Sequence, residues 1–261
     1  MARKRTSRPG PYLTRLEVLR ERISDPSRFP YTLPAVRGLS ALALHPKVTF
    51  FVGDNGSGKS TVLEAIAVAC GLNPEGGSKN FNFATYPSHS RLDEAVRLVR
   101  TASAPADTYF LRAESFYNVA SEIERLDAEP GCGGRIIDSY GGVSLHEQSH
   151  GESFFALFQN RFGDNGLYLV DEPEAALSPQ RQLQFLVLLH DYIQRGGQFV
   201  IATHSPIIMS YPEAWIHLFD ANGIRRIEYK DTEHYQVTHD FLANPSRSLV
   251  VLLNQSEDAL A

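Results

Sequence analysis

Three short stretches of this 261-residue chain carry side chains whose types and spacing could do chemistry. The first, "GDNGSGKST" at residues 53–61, matches Gly-x-x-x-x-Gly-Lys-[Ser/Thr]. A glycine-rich turn of this kind wraps inward-facing amides around a phosphate, and a helix beginning at its end adds the positive pole of its dipole. On that reading Asn55, Gly56, Ser57 and Gly58 cradle the phosphates. Lys59 reaches the β- and γ-phosphates, Ser60 ligates Mg2+ and Thr61 faces the α-phosphate. The second, "LYLVDEP", ends an apolar run on two adjacent acids. Successive residues of a strand point to opposite sides, so Asp171 can hold Mg2+ while Glu172 polarises an attacking water. The third, "ATHSP", places His204 at the end of another apolar run, 33 residues beyond Asp171, where an imidazole can donate to a γ-phosphate. A lone histidine at a strand end is more often structural, and acids after a strand often cap the next helix. Their conjunction with the glycine-rich loop favours the functional reading.

These residues need elements to hold them. "KVTFFVG" (47–53), "LYLVDE" (167–172) and "QFVIATHS" (198–205) are short, continuously apolar runs that read as buried strands. Helices are expected over 60–72, 118–126, 153–162 and 178–197, with Pro179 in the first turn of the last, and a further helix over 91–100. A strand is expected to start at 107, a hairpin around Asn222-Gly223, and a closing helix over 248–255. Strands alternating with helices argue for an α/β protein with the P-loop NTPase fold, a mostly parallel sheet covered by helices on both faces. We expect residues 1–30 to be a flexible basic segment and 31–261 a single domain, with a helical and loop-rich subdomain at about 73–150.

Composition narrows the function. Hydrophobic residues make up 43% of the chain, enough for one large core, and the formal net charge of −5 gives no global attraction to nucleic acid or anionic membrane. The two cysteines, Cys70 and Cys132, form no metal-type pair and suggest no disulfide framework. No apolar stretch is long enough to span a bilayer and no secretory signal is evident, so a cytoplasmic protein without membrane insertion is expected.

With "GDNGSGKST", "LYLVDEPEAALSP" and "ATHSP" together, the chain resembles the ABC-type ATPases, closest to their soluble chromosome-maintenance and DNA-repair branch. "SHGESFFALF" followed by "LYLVDEPEAALSP" is similar to small bacterial predicted ATPases of the AAA family, and the likeness spans roughly residues 36–215. The resemblance implies ATP and Mg2+ as ligands and ATP hydrolysis as the activity. It also implies a signature loop, usually Leu-Ser-Gly-Gly-Gln, before the strand that bears the acids. Here "QSHGE" stands 22 residues before Asp171, so Ser149 matches the signature serine, Gly151 its second glycine and Glu152 its glutamine. Gln148 replaces the leucine and His150 the first glycine. Such a signature acts in trans, which implies an ATP-dependent head-to-tail homodimer. "EAALSP" resembles the loop that crosses between the two sites, with Ser178 where the family usually has Asp. The family's glutamine between the first motif and the signature is absent. Glu114 stands in the matching place, either on the metal or in an ion pair with Arg112 or Arg91. Phe29, Tyr31 and Arg37, upstream of the loop, offer an aromatic or cationic platform for adenine, or core packing.

The function so implied is a soluble ATPase switch on a macromolecular partner, either DNA, in repair or phage defence, or another protein. The alternatives are the ATP-binding subunit of a membrane ABC transporter, a small-molecule kinase and an ATP-gated scaffold. Only about 90 residues separate Lys59 from Ser149, leaving no room for a long coiled coil.

Overall fold

The computed structural model describes residues 9–78, 90–114, 116–128, 134–147 and 150–253. Among the described residues ten strands form two sheets: β1 (Leu13–Val18), β2 (Ala41–Ala43), β3 (Val48–Gly53), β4 (Gly77–Ser78), β5 (Val96–Arg100), β6 (Asp107–Arg112), β7 (Gly166–Asp171), β8 (Gln198–Ala202), β9 (Trp215–Asp220) and β10 (Gly223–Ile227). The large sheet has the order β10-β9-β3-β8-β7-β6-β4. Its five central strands are parallel, and the hairpin strand β10 and the short β4 close its edges in antiparallel pairing. The small sheet, β2-β1-β5, is antiparallel.

Strand periodicity divides the core into two. Val48, Phe50 and Val52 of β3, Tyr168 and Val170 of β7, and Phe199 and Ile201 of β8 face one side. There they pack against α3 (Phe116–Ala128), α4 (His150–Arg161) and α5 (Pro179–Gln194). Phe51, Leu167, Leu169, Val200 and Ala202 face the other side, where α2 (Lys59–Ala69) lies with the small sheet above it. Covered on both faces, these strands have no polar face to show, which is why they read as unbroken apolar runs. Phe162 stacks on Tyr168 with centroids 4.0 Å apart, seating the end of α4 on β7. A short helix α1 (Pro34–Arg37) precedes β2, and α6 (Glu233–Ala243) and α7 (Pro245–Leu253) follow the hairpin.

Three expectations are corrected. Residues 91–100 are not a helix. A single 3-10 turn over Arg91–Ala95 runs into β5, where Val96 and Leu98 alternate with arginines and pair with Val18 and Leu16 of β1. Part of the basic N-terminal segment is built into the fold: Leu13–Val18 form β1, and Tyr12, Leu13 and Leu16 are buried. Its charges lie on the outer face, where Glu17 holds Arg15 and Arg97. Apolar alternation was hidden there behind a basic composition. Of the span 73–150, β4 and β6 belong to the large sheet and β5 to the small one, so its helical part begins only at α3.

Among the described residues no helix is long and apolar enough to cross a membrane. Leu16 has no exposed surface. We expect Leu16→Ala to cost about 3 kcal/mol in urea unfolding; a change under about 0.5 kcal/mol would mean that this segment does not pack as described.

Candidate active site

The parallel strands deliver their carboxyl ends to one edge, the place where open α/β sheets bind ligands. β3 ends at Gly53, whose φ of 140° no other residue adopts easily and where a Cβ would sit 2.2 Å from the Phe219 carbonyl oxygen. The chain then turns through residues 54–57 to Gly58, which has φ 101° and opens α2. Gly58 rests on Leu33 and Ala35, so the segment leading into α1 supports the loop from outside. Lys59 is buried, and its ammonium donates to the carbonyls of Gly53 and Asp54, both at 2.9 Å. Burial lowers its pKa, while Glu172, Asp171, Asp54 and Glu174 pull the other way. The hydroxyl oxygen of Ser57 is buried with no hydrogen-bond partner among the described residues.

β8 lies between β3 and β7, yet the two strands' sites meet. Ser60, on the first turn of α2, donates from Oγ to Oδ1 of Asp171 at 3.0 Å. Asp171 is 3% exposed, and burial raises its pKa to about 6. Nearby Arg112 and the Ser60 hydroxyl oppose that rise. Arg112, at the end of β6, sets its Nε 3.5 Å from Oδ2 of Asp171 and donates from Nη1 to Glu64 of α2 at 2.9 Å. Its Nη2 lies 3.6 Å from Glu114, whose side chain is 85% exposed. Glu114 thus forms the ion pair with Arg112. Arg91 pairs with Glu94 instead. Asn55, Ser60, Arg112, Glu114, Asp171 and Glu172 line a cavity of about 490 Å3.

Glu172 follows with φ 50°, a left-handed conformation costly for a residue with a Cβ and concentrated at functional sites. Its amide donates to Ala202 at 2.9 Å, and its half-exposed carboxylate lies 3.6 Å from Nε2 of His204. His204 is held by its own backbone. Its amide donates to Glu174 at 2.5 Å, and Glu174 also accepts from the Thr203 hydroxyl at 2.8 Å. Ser205 then donates to Gln182 of α5 at 2.6 Å. Nδ1 of His204 lies 3.1 Å from Nε2 of His234, on the first turn of α6. Burial lowers the pKa of both rings, and the charge of Lys59 adds to it.

Lys59, Ser60, Asp171, Glu172 and His204 are thus brought together, and Arg112, Glu174 and His234 join them. Glu174 lies within "LYLVDEPEAALSP", and Arg112 was read from sequence only as a partner for Glu114. His234 carries no sequence signal, because nothing in the chain ties residue 234 to residue 204 except the fold. Ser149 lies outside the described residues. Gly151 opens α4 with a Cβ position 3.4 Å from the Ala176 carbonyl, and Glu152 lines a separate cavity of about 790 Å3 beside Phe155 and Arg181. Ser178 caps α5, accepting from the Arg181 amide at 3.4 Å. Serine and aspartate serve that capping place equally well, which explains the exchange. Tyr31 donates its hydroxyl to the Arg91 carbonyl and packs in the core, while Phe29 is 62% exposed.

This sheet, loop and acid pair form the P-loop NTPase fold, and the chain resembles the ABC-type P-loop ATPases. A family model described as "AAA domain" matches residues 35–115, and another, "AAA domain, putative AbiEii toxin, Type IV TA system", matches 120–210. The cytochrome c biogenesis ATP-binding export protein CcmA of Rhodopseudomonas palustris is 28% identical over 183 residues, covering 65% of this chain and 84% of that protein. CcmA of Rhizobium etli is 27% identical over 166 residues, 59% of this chain and 74% of its own. Among solved structures, "An inward-facing conformation of a putative metal-chelate type ABC transporter" is 16% identical with a TM-score of 0.50, covering 87% of this chain and 88% of that one. The SMC head domain from Thermotoga maritima is also 16% identical, with a TM-score of 0.43 over 84% of this chain and all of that domain.

The residues present fit a nucleotide and its Mg2+. A hydroxyl and a carboxylate already in contact are hard oxygen donors of the kind Mg2+ takes, one or two from protein and the rest from phosphate and water. Among the described residues no group of three or more His, Cys, Asp or Glu side chains could hold a metal alone. Asp171 also yields a prediction. With its pKa raised from 3.8 to about 6, the folded state holds the proton more tightly than the unfolded state. Its ionisation therefore costs stability as pH rises through that window, and the full cost is present above it. Without metal, Asp171→Asn should be more stable than wild type by about 1–2 kcal/mol at pH 8, with the gain vanishing near pH 4. Equal stability at pH 8 in thermal unfolding would show that Asp171 is not held in a desolvated site.

Proposed function

We propose that the protein binds ATP with Mg2+ at the carboxyl ends of β3 and β7 and hydrolyses it within an ATP-dependent head-to-tail pair of chains. The observation that carries this reading is the contact of Ser60 with Asp171, with Lys59 beside it and Glu172 and His204 at its rim. Asn55, Gly56, Ser57, Gly58 and Thr61 surround the phosphates, and Lys59 exchanges a loop carbonyl for phosphate oxygen. Ser60 and Asp171 would hold Mg2+, whose charge would offset that of the phosphates. Glu172, turned out of the strand by its left-handed backbone, accepts a proton from the attacking water. His204 donates to the γ-phosphate. Glu114, paired with Arg112, stands at the same cavity, where it would serve the metal.

Ser149, Gly151 and Glu152 complete the partner's site. The placement of Glu152 beside a different cavity supports a role in trans. The dimer acts as a cytoplasmic switch on a macromolecule, DNA or protein, in a process such as repair or phage defence. The CcmA relatives favour a second reading, the ATP-binding subunit of a membrane transporter. Stable co-purification with an integral membrane protein from detergent extract would select it.

Phosphate release and nucleotide binding test the site. Lys59→Ala should abolish ATP binding. Glu172→Gln should bind ATP as wild type does yet turn over about 100-fold more slowly or worse. Wild-type turnover in Glu172→Gln would remove Glu172 from the reaction. Phosphate transfer that requires a small-molecule acceptor would make the protein a kinase.

A further inference from the structure

His234 has no place in the motifs, yet it is the one described side chain hydrogen-bonded to the ring of His204. Its position is fixed by a tether rather than by burial of its helix, since α6 has no buried residue. Thr232, fully buried, caps α6 by accepting from the Tyr235 amide at 3.2 Å and donates to the Tyr229 carbonyl at 2.7 Å. The Tyr229 hydroxyl in turn donates to the carbonyl of Pro206, two residues beyond His204, at 2.9 Å. The start of α6 is therefore pinned to the loop that carries His204.

The contact between the two rings, Nδ1 of His204 to Nε2 of His234 at 3.1 Å, admits one proton, and its owner decides what His204 presents. If His204 owned it, Nε2 of His204 would turn a lone pair toward the Glu172 carboxylate 3.6 Å away. His234 would then hold a buried Nδ1–H with no partner among the described residues. Both arrangements are unfavourable, since a buried orphan donor is the rarest defect and two acceptors repel. If His234 owns the proton, Nε2 of His204 bears its hydrogen toward the Glu172 carboxylate, which attracts it across 3.6 Å without a hydrogen bond, and the unpaired ring nitrogen of His234 is a lone pair rather than an N–H.

We infer that His234 is a positioning residue: it donates to Nδ1 of His204 and so fixes His204 with its proton on Nε2, aimed at Glu172 and the γ-phosphate side of the site. The catalytic part of this inference rests on the reading of Glu172 and His204 given above, but the tautomer does not.

The test uses the full chain and two variants. His234→Gln keeps an amide donor near the place of Nε2; His234→Glu replaces it with an acceptor. Proton–nitrogen correlation NMR of the histidine rings, without nucleotide, should show His204 protonated on Nε2 in wild type and His234→Gln, and on Nδ1 in His234→Glu. With Mg-ATP, kcat should fall at least about 10-fold in His234→Glu with KM for ATP unchanged, and recover to near wild type in His234→Gln. A wild-type His204 protonated on Nδ1 overturns the inference. So does a His234→Glu variant whose tautomer flips while kcat stays at the wild-type value. If wild type hydrolyses no ATP, the proposed function fails, and the ring spectra alone decide the role of His234.

Discussion

The site depends on one geometric constraint: β8 lies between β3 and β7 in the sheet. The phosphate loop leaves β3 and the acid pair leaves β7, so two functional segments are separated by a whole strand. The first turn of α2 bridges the gap, carrying Ser60 over β8 to Asp171. The strand left underneath must end in something compatible with both neighbours, and it ends in Thr203-His204-Ser205. Backbone bonds fasten this edge. Thr203 donates to Phe51 of β3, Glu172 to Ala202, and Ala113 to Asp171, at 3.1, 2.9 and 3.2 Å. Shifting any one strand would move all three segments.

Burial of charge gives this edge its character. Asp171 and Lys59 are buried and Glu174 is half-buried among groups that only partly compensate them, and Arg112 stretches between Glu64, Glu114 and Asp171. Buried charges without complete partners cost stability, and a protein retains them where a ligand's own charge completes the set. The raised pKa of Asp171 and the lowered pKa of Lys59 are two faces of that incompleteness. On the proposed reading, a triphosphate with Mg2+ would supply the missing charge of both signs.

Much of this could be read from the chain. The strands of the parallel sheet are buried on both faces, so apolar runs ending in glycine or acid located β3, β7 and β8, and with them Lys59, Ser60, Asp171, Glu172 and His204. The strands of the small sheet are covered on one face only. Their alternation, Val96 and Leu98 against arginines, is too short to stand out from a helix pattern, and β1 was masked by its outward Arg15 and the basic residues that precede it. The partners of the site residues were beyond sequence reasoning for a different reason. Arg112 meets Glu64 across 48 residues, and His234 meets His204 across 30, through contacts that only the assembled sheet creates.

The claim on which the account turns is that ATP joins two chains through these sites. Light scattering of Glu172→Gln, with and without Mg-ATP, measures it directly. The account predicts about twice the monomer mass of 29.0 kDa with Mg-ATP and the monomer mass without it. A monomer under both conditions, in a variant that demonstrably binds ATP, would contradict it.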